Sequence, residues 1–186
     1  VRSNKNVIAF VDSSFASNFS RLMNFKRQMF KSNNNTIFIL GAEQPKTFTI
    51  KAEHTFEETR YSNVVGILPG KTRKSEYVIF SGHYDHLGVA RQPVNGDSIY
   101  NGANDDAAGT TAVIMLANYF KKQNNNERTL VFAAFTAEEV GGYGSQYFSR
   151  QFDPAQVIAM FNIEMIGTES KWGRNAAYIT GFEKTN

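Results

Sequence analysis

The sequence predicts an α/β fold, in which a mixed, mostly parallel sheet carries helices on both faces as three layers. Four short runs of almost unbroken apolar residues, at 63–68, 77–80, 130–135 and 157–163, are separated by Gly-rich turns. Continuous apolarity, rather than alternation, is typical of strands covered on both faces. A helical pattern lies between the second and third runs, so the elements follow one another as strand, helix and strand.

The first fifty residues have a different pattern. Two β-prone runs, at 6–12 and 36–40, flank a polar segment at 19–31 with a helical pattern, and Ser32–Asn35 is typical of a turn. We interpret residues 1–50 as separate N-terminal strands and a helix, the remnant of an accessory module. Residues 51–186 form the second predicted domain, and nothing in the first domain indicates chemistry.

The predicted crossover helix spans residues 107–122. Its apolar stripe consists of Ala108, Ala112, Met115, Leu116 and Tyr119. Lys121 and Lys122 lie in the last turn, where cations interact favourably with the helix dipole. The polar residues 123–127 then form a loop before the next strand.

Composition excludes several function classes. The 186 residues include no cysteine, so a disulfide framework and a thiolate metal site are both impossible. The formal charge of +3 is mild and the cations are scattered, which argues against a nucleic-acid partner. No apolar run reaches the length of a membrane span. We expect an extracellular or periplasmic location, with any signal peptide outside this sequence.

Acidic and histidine side chains follow the predicted strands. His83 follows the second strand, Glu138 and Glu139 follow the third, Glu164 lies at the end of the fourth, and Asp105 opens the helix. Ligand crevices of open α/β sheets lie beyond the carboxyl ends of the strands. These side chains should therefore meet at one edge of the sheet.

Grouped carboxylates raise one another's pKa and are costly to bury unless cations neutralise them. Histidine with carboxylates and no cysteine suits Zn²⁺, Co²⁺ or Mn²⁺ with an open position for water. A carboxylate between two ions would bridge them at about 3.5–4 Å. The pattern therefore predicts a catalytic metal site.

Four ordered motifs carry a family resemblance: GHYDHLG at 82–88, YNGANDDAAG at 100–109, TAEEVGGYGS at 136–145 and FNIEMIG at 161–167. In order and spacing they resemble the co-catalytic zinc aminopeptidases related to glutamate carboxypeptidase. The resemblance covers residues 62–167 and implies the zinc exopeptidase fold with two zinc ions. It also implies a peptide substrate, cleaved at its N-terminal peptide bond by a metal-activated water.

The resemblance implies a role for each matching residue. His83 would be a zinc ligand with Asp85 orienting its imidazole, and Asp105 would bridge the two ions before a cis peptide bond to Asp106. Glu138 would be the general base and Glu139 the ligand beside it. Glu164, also a ligand, stands where the family usually has the shorter Asp.

The resemblance also leaves one ligand unassigned. The family's second zinc shell is completed by a histidine well after the FNIEMIG segment, and no histidine follows His86 here. We therefore expect a fragment that is incomplete at its C-terminal end, with doubtful activity in isolation. We interpret His86 as a loop residue at the mouth of the cleft and His54 as a surface residue.

Other functions fit parts of the pattern. A carboxypeptidase of the same fold would need cations for the substrate carboxylate, for which Arg91 and Arg174 are the candidates. A glutaminyl cyclase would use similar motifs with one zinc ion. Asp105 and Asp106 taken alone would more often cap a helix. A binding ectodomain that has lost its ligands is the non-enzymatic alternative, and the intact acidic set argues against it.

Overall fold

A computed structural model describes residues 5–26, 33–41, 46–51, 53, 55 and 57–181. By internal contacts the chain forms two compact units, Val1–Glu58 and Thr59–Asn186. The predicted domain boundary at residue 50 precedes this division and stays a prediction. His54 lies outside the described residues. None of the described helices combines the length and apolarity needed to cross a membrane.

The first unit contains two parallel strands, β1 (Val7–Val11) and β2 (Thr36–Leu40). A 3₁₀ helix, Ser13–Lys26, follows β1. The predicted helix over 19–31 was wrong in its start; its predicted end and Ser32 lie outside the described residues. The early start has a local cause, because the Asp12 carboxylate accepts a hydrogen bond from the backbone N–H of Ser14 at 2.8 Å. Such a turn starts the helix directly after the strand.

The second unit is built on a four-stranded sheet. Its strands are β3 (Val64–Leu68), β4 (Arg73–His83), β7 (Arg128–Phe135) and β8 (Val157–Asn162), in the spatial order β3-β7-β4-β8. β4 pairs in parallel with β7 and β8, whereas β3 is antiparallel to β7. The predicted α/β class with a mixed, mostly parallel sheet is confirmed.

A hairpin of β5 (Val89–Val94) and β6 (Asp97–Ile99) follows β4, and the sequence predictions omitted it. Its turn is Asn95-Gly96, where both residues have positive φ, 52° and 83°. An Asn-Gly pair between β-prone residues is a strong hairpin signal. The polar side chains of β5 conceal the strand from a search for apolar runs.

Each face of the sheet carries one helix. Helix α1 (Ala108–Gln123) covers one face, where Val113 packs with Leu130 and Phe132. The predicted stripe was right at Leu116 and wrong at Met115 and Tyr119, which are exposed; the other contacts with the sheet come from Val113, Ala117 and Phe120. Helix α2 (Tyr143–Ser149) covers the other face, where Phe148 packs on Ile79, Val131, Ala133 and Phe135. The helices on both faces confirm the three-layer prediction.

The close approach of α1 to the sheet explains the shift of the stripe. Gly109 faces the strands, and a β-carbon there would collide with the carbonyl oxygen of Ile163 and the Asp106 carboxylate. A glycine on the contact face lets the first turn of α1 lie against the sheet edge. Hydrophobicity alone does not reveal this contact face, since glycine contributes no apolar side chain.

Burial differs between the centre and the edges of the sheet. Nearly every residue of β7 is buried, whereas β3 and β8 expose Val64, Ile67, Ile158 and Phe161 within this chain. Coverage of both faces was therefore a correct prediction for the central strands and a wrong one for β3 and β8. The reason is that an apolar run signals the strand itself, not how far its neighbours extend over it.

Candidate metal centre

His83 is the last residue of β4 and is held by contacts at four atoms. Its N–H donates to the Asp106 carboxylate at 3.1 Å, and its carbonyl accepts from the Thr110 hydroxyl at 2.7 Å. Its ring Nδ1 lies 3.0 Å from the carbonyl oxygen of Asp85. A carbonyl can only accept, so this bond places the proton on Nδ1 and leaves Nε2 available to coordinate a metal ion.

The first group of donors surrounds Nε2 of His83. Asp105 Oδ1 lies 2.9 Å and Glu164 Oε1 3.8 Å from that nitrogen. The donor atoms of His83, Asp105 and Glu164, which we name the first triad, all lie within 4.8 Å of one another. The peptide bond from Asp105 to Asp106 is cis, as the resemblance implies.

Glu164 lies two residues beyond the end of β8, and its side chain is 42% exposed. Glu164 therefore follows the strand, as the sequence predicted, although β8 ends one residue earlier than the predicted run 157–163. Because β8 ends at Asn162, Glu164 belongs to the segment after the strand, and the N–H of the next residue, Met165, donates to Asp106 before α1. A carboxylate in such a segment can reach an ion and remain open to solvent.

Asp106 joins three segments of the chain. Its buried carboxylate accepts hydrogen bonds from the backbone N–H groups of His83 at 3.1 Å, Gly109 at 3.1 Å and Met165 at 3.2 Å. The end of β4, the first turn of α1 and the segment after β8 are therefore tied to one side chain. Of the two acids, Asp106 takes the helix-capping role and Asp105 faces the first triad.

Asp85 connects His83 with the segment after β7. Its carboxylate accepts from the backbone N–H groups of Glu138 at 3.0 Å and Glu139 at 3.3 Å. The nearer carboxylate oxygen is 3.7 Å from His83 Nδ1. The imidazole is thus oriented by the backbone carbonyl of Asp85 rather than by its carboxylate, which instead positions the two glutamates.

A second group of donors lies beside the first. The donor atoms of His86, Asp105 and Glu139, which we name the second triad, also lie within 4.8 Å of one another. His86 Nδ1 is 2.6 Å from Glu139 Oε1, and both side chains are mostly buried. Asp105 belongs to both triads. The interpretation of His86 as a loop residue describes its backbone but missed this contact.

Electrostatics favour a cation in the first triad. Burial of His83 by itself favours the neutral ring, but the Asp85 carbonyl and the carboxylates of Asp106, Glu138 and Asp105 outweigh it and raise the pKa of His83. A raised pKa means that the surroundings stabilise positive charge at the ring. A divalent ion on Nε2 would meet the same stabilisation.

The pKa of Glu138 is also raised. Partial burial is the largest cause; His83 opposes the shift, while the carboxylates of Glu164, Glu139 and Asp85 add to it. A raised pKa makes a carboxylate a better proton acceptor once it is ionised.

The donor chemistry of the centre fits divalent metal ions. Each triad offers one imidazole nitrogen and two carboxylate oxygens, and three protein ligands leave an open coordination position. The structure thus brings together the five predicted residues His83, Asp85, Asp105, Glu139 and Glu164, with Glu138 beside them. Sequence reasoning missed the contact of His86 with Glu139, and of Asp106 it offered the helix-capping role but not the link between three segments. The signal for His86 was its place in the segment that carries His83.

Comparison with known proteins places this centre in a family. The model of peptidase family M28 matches residues 63–177, which include every residue of both triads. A probable zinc metalloprotease of Pyrenophora teres f. teres is 34% identical over 108 residues, covering 57% of this chain and 23% of the relative. One of Pyricularia oryzae is 33% identical over 113 residues, covering 60% and 22%.

Among solved structures, the aminopeptidase of Aneurinibacillus sp. strain AM-1 matches with a TM-score of 0.47 and 27% identity, covering 57% of this chain and 24% of that one. The chain spans about a quarter of the length of the relatives that it matches. The family match covers well over half of this chain, together with all the metal donors. The chain belongs to peptidase family M28.

Proposed function

We propose that this chain carries the catalytic centre of a zinc-dependent exopeptidase that hydrolyses the N-terminal peptide bond of peptides. The observation that carries the proposal is the pair of triads sharing Asp105, because one bridging carboxylate is the arrangement of two-metal hydrolytic sites. The relatives named as zinc metalloproteases support zinc as the metal. Imidazole and carboxylate donors suit that ion.

The proposed mechanism assigns one role to each side chain. His83, Asp105 and Glu164 would hold one zinc ion, and Asp105 with Glu139 would hold the other. Zinc in such a site supplies a water of lowered pKa and polarises the scissile carbonyl. Glu138 accepts the proton of the attacking water and delivers it to the leaving amine, the task to which its raised pKa is suited.

Asp85 fixes the positions of the general base and two metal ligands relative to one another. Its carboxylate holds the backbone of both Glu138 and Glu139, and its carbonyl holds the His83 ring. The general base and the metal ligands are therefore positioned by the same residue. Displacement of catalytic groups by about 1 Å can cost about 10²-fold in rate, so such support affects turnover.

The charge of the centre favours the amino end of a substrate. Six carboxylates, those of Asp85, Asp105, Asp106, Glu138, Glu139 and Glu164, exceed the charge of two divalent ions. In the described part of the chain their hydrogen bonds and ion pairs lead to histidines, backbone amides and Asn162, not to Lys or Arg. A free α-ammonium group is attracted there.

The two candidate cations for a carboxypeptidase gain no support. Arg174 is exposed and pairs with Glu169 at 3.0 Å, and Arg91 is exposed on β5. Neither has a described contact with the metal centre. A terminal carboxylate would approach the acidic centre without a cationic partner.

The test is a comparison of blocked and free peptides on the zinc-loaded protein. A leucyl peptide with a free amino end should release leucine, and its N-acetylated form should not. Release of the C-terminal residue from both would contradict the amino-end preference and favour a carboxypeptidase. Conversion of an N-terminal Gln peptide to its cyclic product without hydrolysis would identify a glutaminyl cyclase instead.

A further inference from the structure

We propose that Asn63 is a positioning residue for Glu138 and Glu139, acting through the two ends of the loop that carries them. The proposal rests on the roles that the proposed function gives to these glutamates, but not on its substrate preference. We name residues 136–144 the glutamate loop. It begins directly after β7 and ends within the first turn of α2.

The side-chain amide of Asn63 bridges the two ends of the glutamate loop. Its Oδ1 accepts from the backbone N–H of Thr136 at 3.1 Å, and its Nδ2 donates to the carbonyl of Gly144 at 2.9 Å. The ends also bond to each other, because the N–H of Gly144 donates to the carbonyl of Thr136 at 3.1 Å. A β-carbon on Gly144 would collide with Asn63 Oδ1 and with the backbone of Thr136. The three residues therefore form a closely packed junction.

Asn63 is itself held in place from two sides. It directly precedes β3, whose first residue, Val64, is paired with Ala134 of β7. The carbonyl of the preceding residue, Ser62, accepts a hydrogen bond from the Tyr84 hydroxyl at 2.6 Å. Asn63 therefore fixes the ends of the glutamate loop relative to the sheet.

The conformation of Ala137 makes such a fixed junction necessary. Ala137 has a φ of 56°, in the left-handed region, and is 2% exposed. A residue with a β-carbon keeps this conformation where its surroundings hold it. Because Ala137 directly precedes Glu138, a return to an ordinary φ would turn the backbone of Glu138 and Glu139. Asn63 opposes this change because it holds Thr136, the residue before Ala137.

An uncharged amide suits this position. Asn63 accepts from one backbone group and donates to another, which an ionised carboxylate cannot do. It also adds no charge to the carboxylates of the centre. Asp85 holds the same loop between its ends, where it accepts from the backbone N–H groups of Glu138 at 3.0 Å and Glu139 at 3.3 Å. Two residues from different segments thus fix the loop, one at its ends and one between them.

The test compares Asn63→Ala with Asn126→Ala, which remove amides from opposite ends of the same strand pair. Asn126 joins the end of β3 to the start of β7, where its Nδ2 donates to the carbonyls of Pro69 at 3.0 Å and Arg128 at 2.9 Å. Both variants should lower the urea midpoint of unfolding. Asn63 lies at the sheet edge that carries the metal centre, so Asn63→Ala alone should disturb the two glutamates.

Three measurements distinguish the variants. Amide hydrogen exchange should show reduced protection of Glu138 and Glu139 in Asn63→Ala. Titration with ¹¹³Cd²⁺, a zinc substitute visible by NMR, should show binding of the ion beside Asp105 and Glu139 weakened by about 10–100-fold. At saturating zinc, kcat for a leucyl peptide should fall by about 10²-fold with KM little changed. Asn126→Ala should match the wild-type chain in all three measurements.

Asn63→Asp provides a second variant that preserves the size of the side chain. It keeps the acceptor for the Thr136 N–H and removes the donor to the Gly144 carbonyl. The Thr136 amide should stay protected and that of Gly144 should exchange faster, while metal affinity and kcat fall by less than in Asn63→Ala. Wild-type metal affinity and kcat in Asn63→Asp would overturn the proposal.

Two other outcomes would also overturn it. One is equal behaviour of Asn63→Ala and Asn126→Ala in exchange, metal binding and turnover, which would leave Asn63 a role in stability alone. The other is unchanged exchange at Glu138 and Glu139 in a folded Asn63→Ala chain.

The positioning role and the proposed function can fail separately. The absence of hydrolysis by the zinc-loaded wild-type chain would contradict the proposed function, and the exchange and cadmium measurements would still decide the role of Asn63. Hydrolysis by Asn63→Ala at the wild-type rate would contradict the positioning role alone.

Discussion

His83 and His86 are separated by only two residues in the chain, yet different kinds of structure hold them. His83 ends a central strand, is 2% exposed, and has its backbone N–H, its carbonyl and both ring nitrogens in contact with other groups. His86 lies in the following loop, where one hydrogen bond and two packing contacts orient its ring.

This difference suggests that the two halves of the centre are not equally preorganised. The imidazole of the first triad depends on the sheet and on Asp106, which are fixed by folding. The second triad depends on a loop, which keeps more freedom and pays more conformational entropy when it is ordered. We therefore expect the first triad to bind its ion more tightly. The following predictions test this difference, from the largest effect to the smallest.

Glu138→Gln should lower turnover by about 10²–10⁴-fold, the usual contribution of general base catalysis. Neither half of the centre should lose its ion, because Glu138 belongs to neither triad. Steady-state kinetics with metal analysis of the same sample checks both points. An active variant would remove Glu138 from the mechanism, and a metal-depleted one would make it a ligand.

Asp106→Asn should lower the free energy of unfolding by about 3 kcal/mol, because the new amide cannot accept the three backbone hydrogen bonds of a buried carboxylate. Metal binding should weaken more at the first triad, since His83 loses a backbone partner. Urea unfolding and cadmium titration measure the two effects. Asp153→Asn is the matched control, an exposed cap at which Asn and Asp are nearly equivalent. Equal losses in the two variants would contradict the joining role of Asp106.

Asp85→Ala should weaken metal binding by about 10–100-fold, the usual range for a residue that positions ligands. The second triad should be affected more, because the lost carboxylate holds the backbone of Glu139, whereas His83 keeps the carbonyl of residue 85. Titration of the two ions separately measures the order of the losses. Asp97→Ala, which removes an exposed carboxylate from the first residue of β6, should leave both unchanged.

Ion binding at the first triad should weaken as the pH falls. The pKa of His83 is raised above its ordinary 6.5, so the metal-free ring is protonated below that higher value and an entering ion must displace the proton. Above the raised pKa the affinity should be independent of this group, and below it the affinity should fall by about tenfold per pH unit. Cadmium titration between pH 5 and 8 checks the slope, which His83→Ala should abolish.

The predictions from sequence agree best with the structure where a sequence pattern is compatible with a single kind of structural element. The four sheet strands, α1 and the sheet-edge position of the acids were all readable, because buried strands need apolar residues and parallel strands end at one edge. The hairpin β5–β6 was not predicted, because its strands are polar and give no apolar run. The Asn95-Gly96 turn was the one feature of the sequence that indicated a hairpin there.

The sequence by itself determined the α/β class, the family resemblance and the identity of the first-triad donors. These three features depend on the type and order of residues, because local propensity sets the elements and strand direction sets the sheet edge at which the donor side chains lie. The tertiary structure decided which face of α1 meets the sheet, that Asp106 joins three segments, and that His86 reaches Glu139. Each of these contacts joins residues from separate elements of the fold. Their distances follow from how the elements pack, and no local pattern records that packing.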